Sequence, residues 1–268
     1  MREIRLRVRA TAVEDVLDRL LLLVPGGVRE RPAGDDVVLV MRGPDLPALA
    51  EIVAAAGRRR LGLEEREVPD DWRERRLLDY EADPIGGRLI VRPSWAPAPG
   101  AGVIDIVLED SAAFGGGTHP TTRTCLEWLL ELAPGGAFAD LGCGTGVLAI
   151  LAAKLGWTPV VAVDVQPHSL EAAGANASRN HVAVDVRAID LAAAPPPPAD
   201  GFAANVPAEL HTTLAAGWKA SPPRVGVVSG FGPSEAAAVI DSYTAIGLRE
   251  QRRIARGGWS VALVARDC

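Results

Sequence analysis

The chain is poor in several things, and each shortage removes a class of protein. Cysteine occurs three times in 268 residues, at Cys125, Cys143 and Cys268. So odd and widely spaced a set, without metal-ligand spacing, supports neither a disulfide framework nor a zinc site, and no bound metal is expected. Long apolar runs are missing too. The longest, Leu20 to Val24 and Val147 to Ala153, fall far short of a membrane span. Arg2, Arg5, Arg7 and Arg9 alternate with apolar residues and no apolar h-region follows them, so no signal peptide is read and a cytoplasmic location is expected. Lysine is almost absent, with Lys154 and Lys219 set among many arginines, which reads as coding bias rather than function.

Hydrophobic content of 48% and charged content of 23% are ordinary for a soluble globular chain, and the length suits one large or two modest domains. The net charge of −6 is uneven. Residues 1–76 hold 15 Arg and 15 Asp or Glu, so the remaining 13 basic and 19 acidic residues carry all of it. An acidic catalytic part can steer a basic partner and disfavours a bare nucleic-acid substrate, so no direct DNA binding is expected.

The most informative segment is Asp140-Leu-Gly142-Cys-Gly144-Thr-Gly146, followed by a helical run from Val147 to Lys154 and by Val160-Val-Ala-Val163 ending at Asp164. Strand, glycine turn, helix, second strand and terminal acid in that order describe one βαβ unit that binds a nucleoside. Glycines there permit positive φ and a close approach of backbone to ligand. An acid two positions before the first glycine suits a cation better than a pyrophosphate. S-adenosylmethionine carries a sulfonium and an α-ammonium, so Asp140 would stabilise positive charge directly or through water, and Asp164 would accept the ribose hydroxyls. A nicotinamide cofactor is the competing reading of the same glycines.

Residues 2–68 follow the order βαββαβ, a split βαβ, ferredoxin-like unit: strand 2–9, helix 13–24, strands 28–31 and 36–41 around Pro32 to Asp35, helix 46–56 and strand 63–68. A short helix over 70–78 lies in a connector. Strands 89–91 and 103–108 follow, with a helix at 122–133. From residue 137 strands and helices alternate, giving strands 137–141, 159–164, 184–189, 201–205 and 224–229. Helices are expected from Val147 and over 169–180, 208–217 and 233–246. A hairpin closes the chain, with strands 248–254 and 260–265 around Arg256-Gly257-Gly258. The fold class expected is α/β, a seven-stranded Rossmann-like class I methyltransferase domain (85–268) joined by a linker (70–84) to a small ferredoxin-like α+β domain (1–69).

Two further segments carry chemistry. Phe114-Gly-Gly-Gly117-Thr118-His119-Pro120-Thr121-Thr122 precedes the first helix of the larger domain, a loop able to close over a cofactor, with Thr121 or Thr122 as helix cap in the plainer reading. Ala204-Asn205-Val206-Pro207 ends the fourth strand, where sheet geometry places ligands. An Asn there accepts a hydrogen bond from an amine.

At these residues the chain resembles the ribosomal protein L11 methyltransferases (PrmA family). That family's Ala-Phe-Gly-Thr-Gly-Thr-His-Pro-Thr-Thr loop is matched from Ala113 to Thr122, with Gly116 in place of the first Thr, and its Asp-x-Gly-x-Gly-x-Gly falls on Asp140 to Gly146. The likeness extends to Trp72, to Pro84 through Leu89 with Trp95, to Ser229-Gly230-Phe231 and to Trp259 through Val264. It departs at Ser111-Ala112 and at Val206-Pro207, both on the acceptor side.

The resemblance implies a protein N-methyltransferase using S-adenosylmethionine on lysine or α-amines of ribosomal protein L11, docked by the ferredoxin-like domain; a monomer is expected. It places cofactor contacts on Thr121, Gly142, Asp164 and Asn205, to which the residue reading adds Phe114, Asp140, Gly144 and Gly146. Asn205 would orient the amine, assisted by Thr118 or His119, the histidine positioning backbone more than acting as base. A different protein or small amine as acceptor, or a non-catalytic cofactor-binding assembly factor, are the alternatives.

Overall fold

A computed structural model describes residues 2–21, 23–24, 27–43, 46–68, 82–109, 113–117 and 119–267, apart from the side chain at position 32. Two compact units emerge, one from residues 2–68 and one from residues 82–109 with 113–267. The expected helix over 70–78, Trp72, Ser111-Ala112 and Thr118 lie outside the described residues.

In the first unit, β1 (Arg2–Arg9), α1 (Val13–Leu21), β2 (Arg29–Ala33), β3 (Asp36–Gly43), α2 (Leu49–Ala56) and β4 (Arg60–Glu67) follow the expected order. The strands pair antiparallel as β2-β3-β1-β4, the split βαβ arrangement. Alternation decides the faces: Ile4, Leu6 and Val8 are fully buried with Leu39 and Met41 of β3, packed against Val16, Leu20 and Ile52 of the two helices. Helix α2 begins at Leu49, three residues later than the apolar pattern suggests, because Glu51 reaches back to accept the Ala48 amide at 2.8 Å and fixes the first turn there.

In the second unit, β5 (Leu89–Pro93) and β6 (Ile104–Leu108) form a parallel pair of their own. The free side of β6 is closed by side chains. Val107 donates its amide to Asn180 Oδ1 (2.9 Å) and accepts Asn180 Nδ2 (2.6 Å), and the Glu109 amide reaches Asn176 Oδ1 (3.1 Å).

The main sheet is built from β7 (Phe138–Leu141), β8 (Val160–Asp164), β9 (Asp185–Ala188), β10 (Gly201–Asn205), β11 (Val225–Phe231), β12 (Arg249–Arg256) and β13 (Trp259–Ala265). Its order is β12-β13-β11-β10-β7-β8-β9, with only β13 running antiparallel to its neighbours. Helices α3 (Pro120–Leu129), α4 (Val147–Leu155), α5 (Pro167–Arg179), α6 (Ala208–Gly217) and α7 (Ala236–Thr244) complete it. One core joins the sheet to α3, α4 and α5 through Leu126, Leu129, Leu148, Ile150 and Ala173; the other joins it to α6 and α7 through Leu214, Val239 and Tyr243. Gly257 and Gly258 both take positive φ (59° and 84°), as a two-residue hairpin turn requires. Strand order reverses between β7 and β10, so the crevice for a ligand opens where those two strands end.

Candidate active site

Strand β7 ends at that reversal and the chain turns into α4 through residues 142–146. Gly142, Gly144 and Gly146 take φ of 71°, 51° and 77°. A Cβ on Gly142 would stand 2.5 Å from Val206 Cγ1, one on Gly144 would collide with the Phe114 carbonyl, and one on Gly146 would meet Ala173 at 3.0 Å. The glycines make room first for the protein itself, where the sequence suggested room for ligand. The turn's amides are equally committed. Gly142 and Cys143 donate to the Val163 carbonyl (2.9 Å each), Thr145 to the Phe114 carbonyl (2.8 Å), Gly146 to the Cys143 carbonyl (2.8 Å) and Gly144 to Asp164 Oδ2 (3.0 Å). A dinucleotide site needs free amides against pyrophosphate. All five here are spent within the protein, which weighs against the nicotinamide reading.

Asp164 ends β8 half-buried, its second oxygen accepting the Gln166 amide at 2.9 Å. Two backbone bonds fix the carboxylate while each oxygen keeps a lone pair, which fits a ribose diol. Val165, beside it, is 58% exposed. Asp140 has a structural task that the sequence did not disclose. It is buried and accepts the Ala149 amide at 2.9 Å, three residues into α4. Gly146, in the N-cap position, has no side chain, so Asp140 supplies the capping oxygen from the preceding strand. Burial pushes its carboxyl up to about 7, the Ala149 bond pulling down and Asp164 adding to the rise.

Helix α3 begins at Pro120, two residues earlier than expected, because proline is preorganised for a first turn. Its cap is His119, correcting the expectation of Thr121 or Thr122: the Thr121 amide donates to His119 Nδ1 at 3.3 Å. The helix also ends sooner, at Leu129 rather than 133, before a turn. Thr121 Oγ1 lies 2.7 Å from His119 Nδ1 and accepts Asn205 Nδ2 at 3.1 Å. Asn205, Thr121 and His119 therefore form one chain of hydrogen bonds across β10 and α3. Phe114 is 53% exposed and meets the His119 ring edge-on at 5.0 Å, with Trp259 on that ring at 6.0 Å.

Three contributors were not singled out from sequence. Thr145 donates its hydroxyl to the Gly115 carbonyl at 2.8 Å, strapping residues 114–115 to the glycine turn, and Asn176 Nδ2 holds the Thr145 carbonyl at 3.0 Å. His211 is fully buried beneath the end of β10. Its Nε2 lies 3.2 Å from the Val206 carbonyl and 3.1 Å from that of Ser229, and its Nδ1 2.8 Å from the Tyr243 hydroxyl. Two carbonyls at Nε2 require the proton there, leaving Nδ1 to accept from Tyr243. Burial lowers its pKa to about 4, against the raising effect of the Ser229 and Val206 carbonyls. Histidine spacing gives no hint of this clamp; the one local signal is Ser229-Gly230, where a Cβ on Gly230 would run into Val206.

Comparison with known proteins gives the family. Residues 50–267 match the family model described as ribosomal protein L11 methyltransferase (PrmA). Proteins named ribosomal protein L11 methyltransferase from Burkholderia vietnamiensis and Burkholderia multivorans are each 41% identical over 169 residues, 60% of this chain and 56% of theirs. The match thus spans little more than half the length of those relatives. The solved ribosomal protein L11 methylase of Lactobacillus delbrueckii subsp. bulgaricus shares the fold at a TM-score of 0.61 and 22% identity, over 70% of this chain and 99% of that one. With well over half of its length matched by the family model, the chain belongs to the ribosomal protein L11 methyltransferase (PrmA) family.

Proposed function

We propose that this chain transfers methyl groups from S-adenosylmethionine to amines of ribosomal protein L11, lysine side chains or the α-amine. Residues 85–268 form the catalytic domain, 1–69 the domain that docks the acceptor and 70–84 the linker. The observation that carries the reading is the bond from Asn205 Nδ2 to Thr121 Oγ1. With its amide nitrogen engaged, Asn205 turns its carbonyl oxygen to whatever enters at the end of β10, and that oxygen accepts from an amine.

The sulfonium supplies a methyl group already activated for in-line displacement, so the protein's part is orientation. Asp164 holds the ribose, Phe114 and the 113–117 segment cover the nucleoside, and Asn205 aims the nitrogen lone pair. A lysine amine, with a pKa near about 10.4 in water, must lose its proton first. His119 is a positioning residue in this scheme, since its Nδ1 already serves Thr121. Proton loss falls to water and to desolvation of the amine.

The test is intact mass spectrometry of recombinant ribosomal protein L11 after incubation with the enzyme and S-adenosylmethionine. Steps of one methyl mass are expected, and Asn205→Ala should lower the rate on the order of 100-fold with an unchanged melting temperature. An unlabelled protein alongside measurable cofactor binding would reject this acceptor and direct the search to another protein or small amine, the alternative that Val206-Pro207 makes plausible.

A further inference from the structure

The registers of the four-stranded sheet place one residue type repeatedly on the face opposite the helices. Crossing from β4 through β1 and β3 to β2, one row reads Arg66, Glu3, Arg42. The next reads Glu64, Arg5, Val40, Arg29, then Gly62, Arg7, Val38, Arg31, and finally Arg9, Asp36, Ala33. Seven arginines meet three carboxylates, an excess of four positive charges on a unit whose total charge is near balance. One of those carboxylates organises the cations. Glu3 is fully buried among Arg5 (2.8 Å), Arg66 (2.6 Å) and Arg42. Among the described residues, Arg7 and Arg31, flanking Val38 in the third row, pair with no carboxylate.

We infer that this sheet face binds the phosphate backbone of single-stranded RNA. Charge complementarity calls for a polyanion, and guanidinium forks match phosphate oxygens two at a time. Arginines alternate along β1 (Arg5, Arg7, Arg9) and β2 (Arg29, Arg31) about 7 Å apart, on the scale of successive phosphates. The apolar groups between them, Val38 and Val40, are partly or wholly covered, which leaves little apolar surface to anchor peptide side chains. Among the described residues these rows carry no aromatic ring, so contact is with backbone and independent of base sequence. RNA as the polyanion rests on the proposed ribosomal acceptor; the cationic face does not.

Fluorescence anisotropy of the full chain with a labelled 20-nucleotide RNA, from 50 to 300 mM KCl, tests the inference without any methylation step. Affinity should fall steeply with salt. The Arg7→Glu/Arg31→Glu variant should lose on the order of tenfold or more at 0.1 M salt and show a slope shallower by about 1.4, two phosphate contacts at 0.7 each. Arg7→Gln/Arg31→Gln should lose less in the same direction, which guards against a misfolded reversal variant. Arg19→Glu/Arg58→Glu, outside the sheet face, should change binding less than twofold. Unaltered binding by both Arg7/Arg31 variants, or displacement of RNA by polyglutamate at equal charge, overturns the inference.

Discussion

His211 shows how a residue outside the reacting centre sets conditions for it. Burial lowers its pKa from 6.5 to about 4, so the folded state resists a proton that the unfolded chain accepts. Its stabilising contribution is complete above pH 6.5 and is lost as pH falls towards 4. The full swing is roughly 3 kcal/mol, from about 1.4 kcal/mol per unit. Asp140, raised to about 7, opposes this over the same window, so we predict that His211→Gln is less stable than the protein at pH 7 and that the gap in melting temperature between the two shrinks as pH falls from 6.5 towards 4. Calorimetry at half-unit steps checks both. Single residues were also where the sequence was least informative. Asp164 and Asn205 were legible as the last residues of β8 and β10 because each closes an apolar run. The partners of His211, Thr145 and Asn176 were not, because a buried polar group's partners come from distant segments and leave no local periodicity.

The glycine turn and the 113–117 segment behave as one element. Thr145 joins them through a buried hydroxyl bond and its backbone amide. Thr145→Val keeps the shape and deletes the hydroxyl bond, which should cost about 1–2 kcal/mol with an unsatisfied Gly115 carbonyl. The expected signature is faster amide exchange at 113–117 and weaker cofactor binding, with little change in β7. Exchange confined to other regions would contradict the strap. Elements were the most legible scale. The strand–turn–helix from Phe138 to Leu155 follows directly from an apolar run, glycines and a helical pattern, while the boundaries of α2 and α3 moved because capping by Glu51 and His119 outweighed apolar spacing. The strands β5 and β6 were recognisable as extended segments, yet short apolar runs do not encode their partners, so their pairing outside the main sheet was not.

For the whole molecule, the net charge of −6 conceals a cationic sheet face held by one buried acid. Burial alone would raise the pKa of Glu3, but Arg66, Arg5 and Arg42 outweigh it and hold it at about 2. The pairing therefore stabilises fully above pH 4.5 and fades as pH falls towards 2. Glu3→Ala should destabilise residues 2–68 by about 1–3 kcal/mol, less than for a fully buried pair because the arginines are partly solvated. Proteolysis should then begin in that unit while cofactor binding by residues 82–267 persists; simultaneous loss of both would show that the units do not unfold separately. Composition disclosed the charge imbalance but not its segregation by face, which depends on strand register. A last consequence concerns self-association. The outer edge of β6 would ordinarily invite a strand from another copy, the route to aggregates. Asn176 and Asn180 already occupy the Val107 amide and carbonyl and the Glu109 amide, so an intruding strand finds the ladder interrupted there, and concentrated protein has a less inviting growth point.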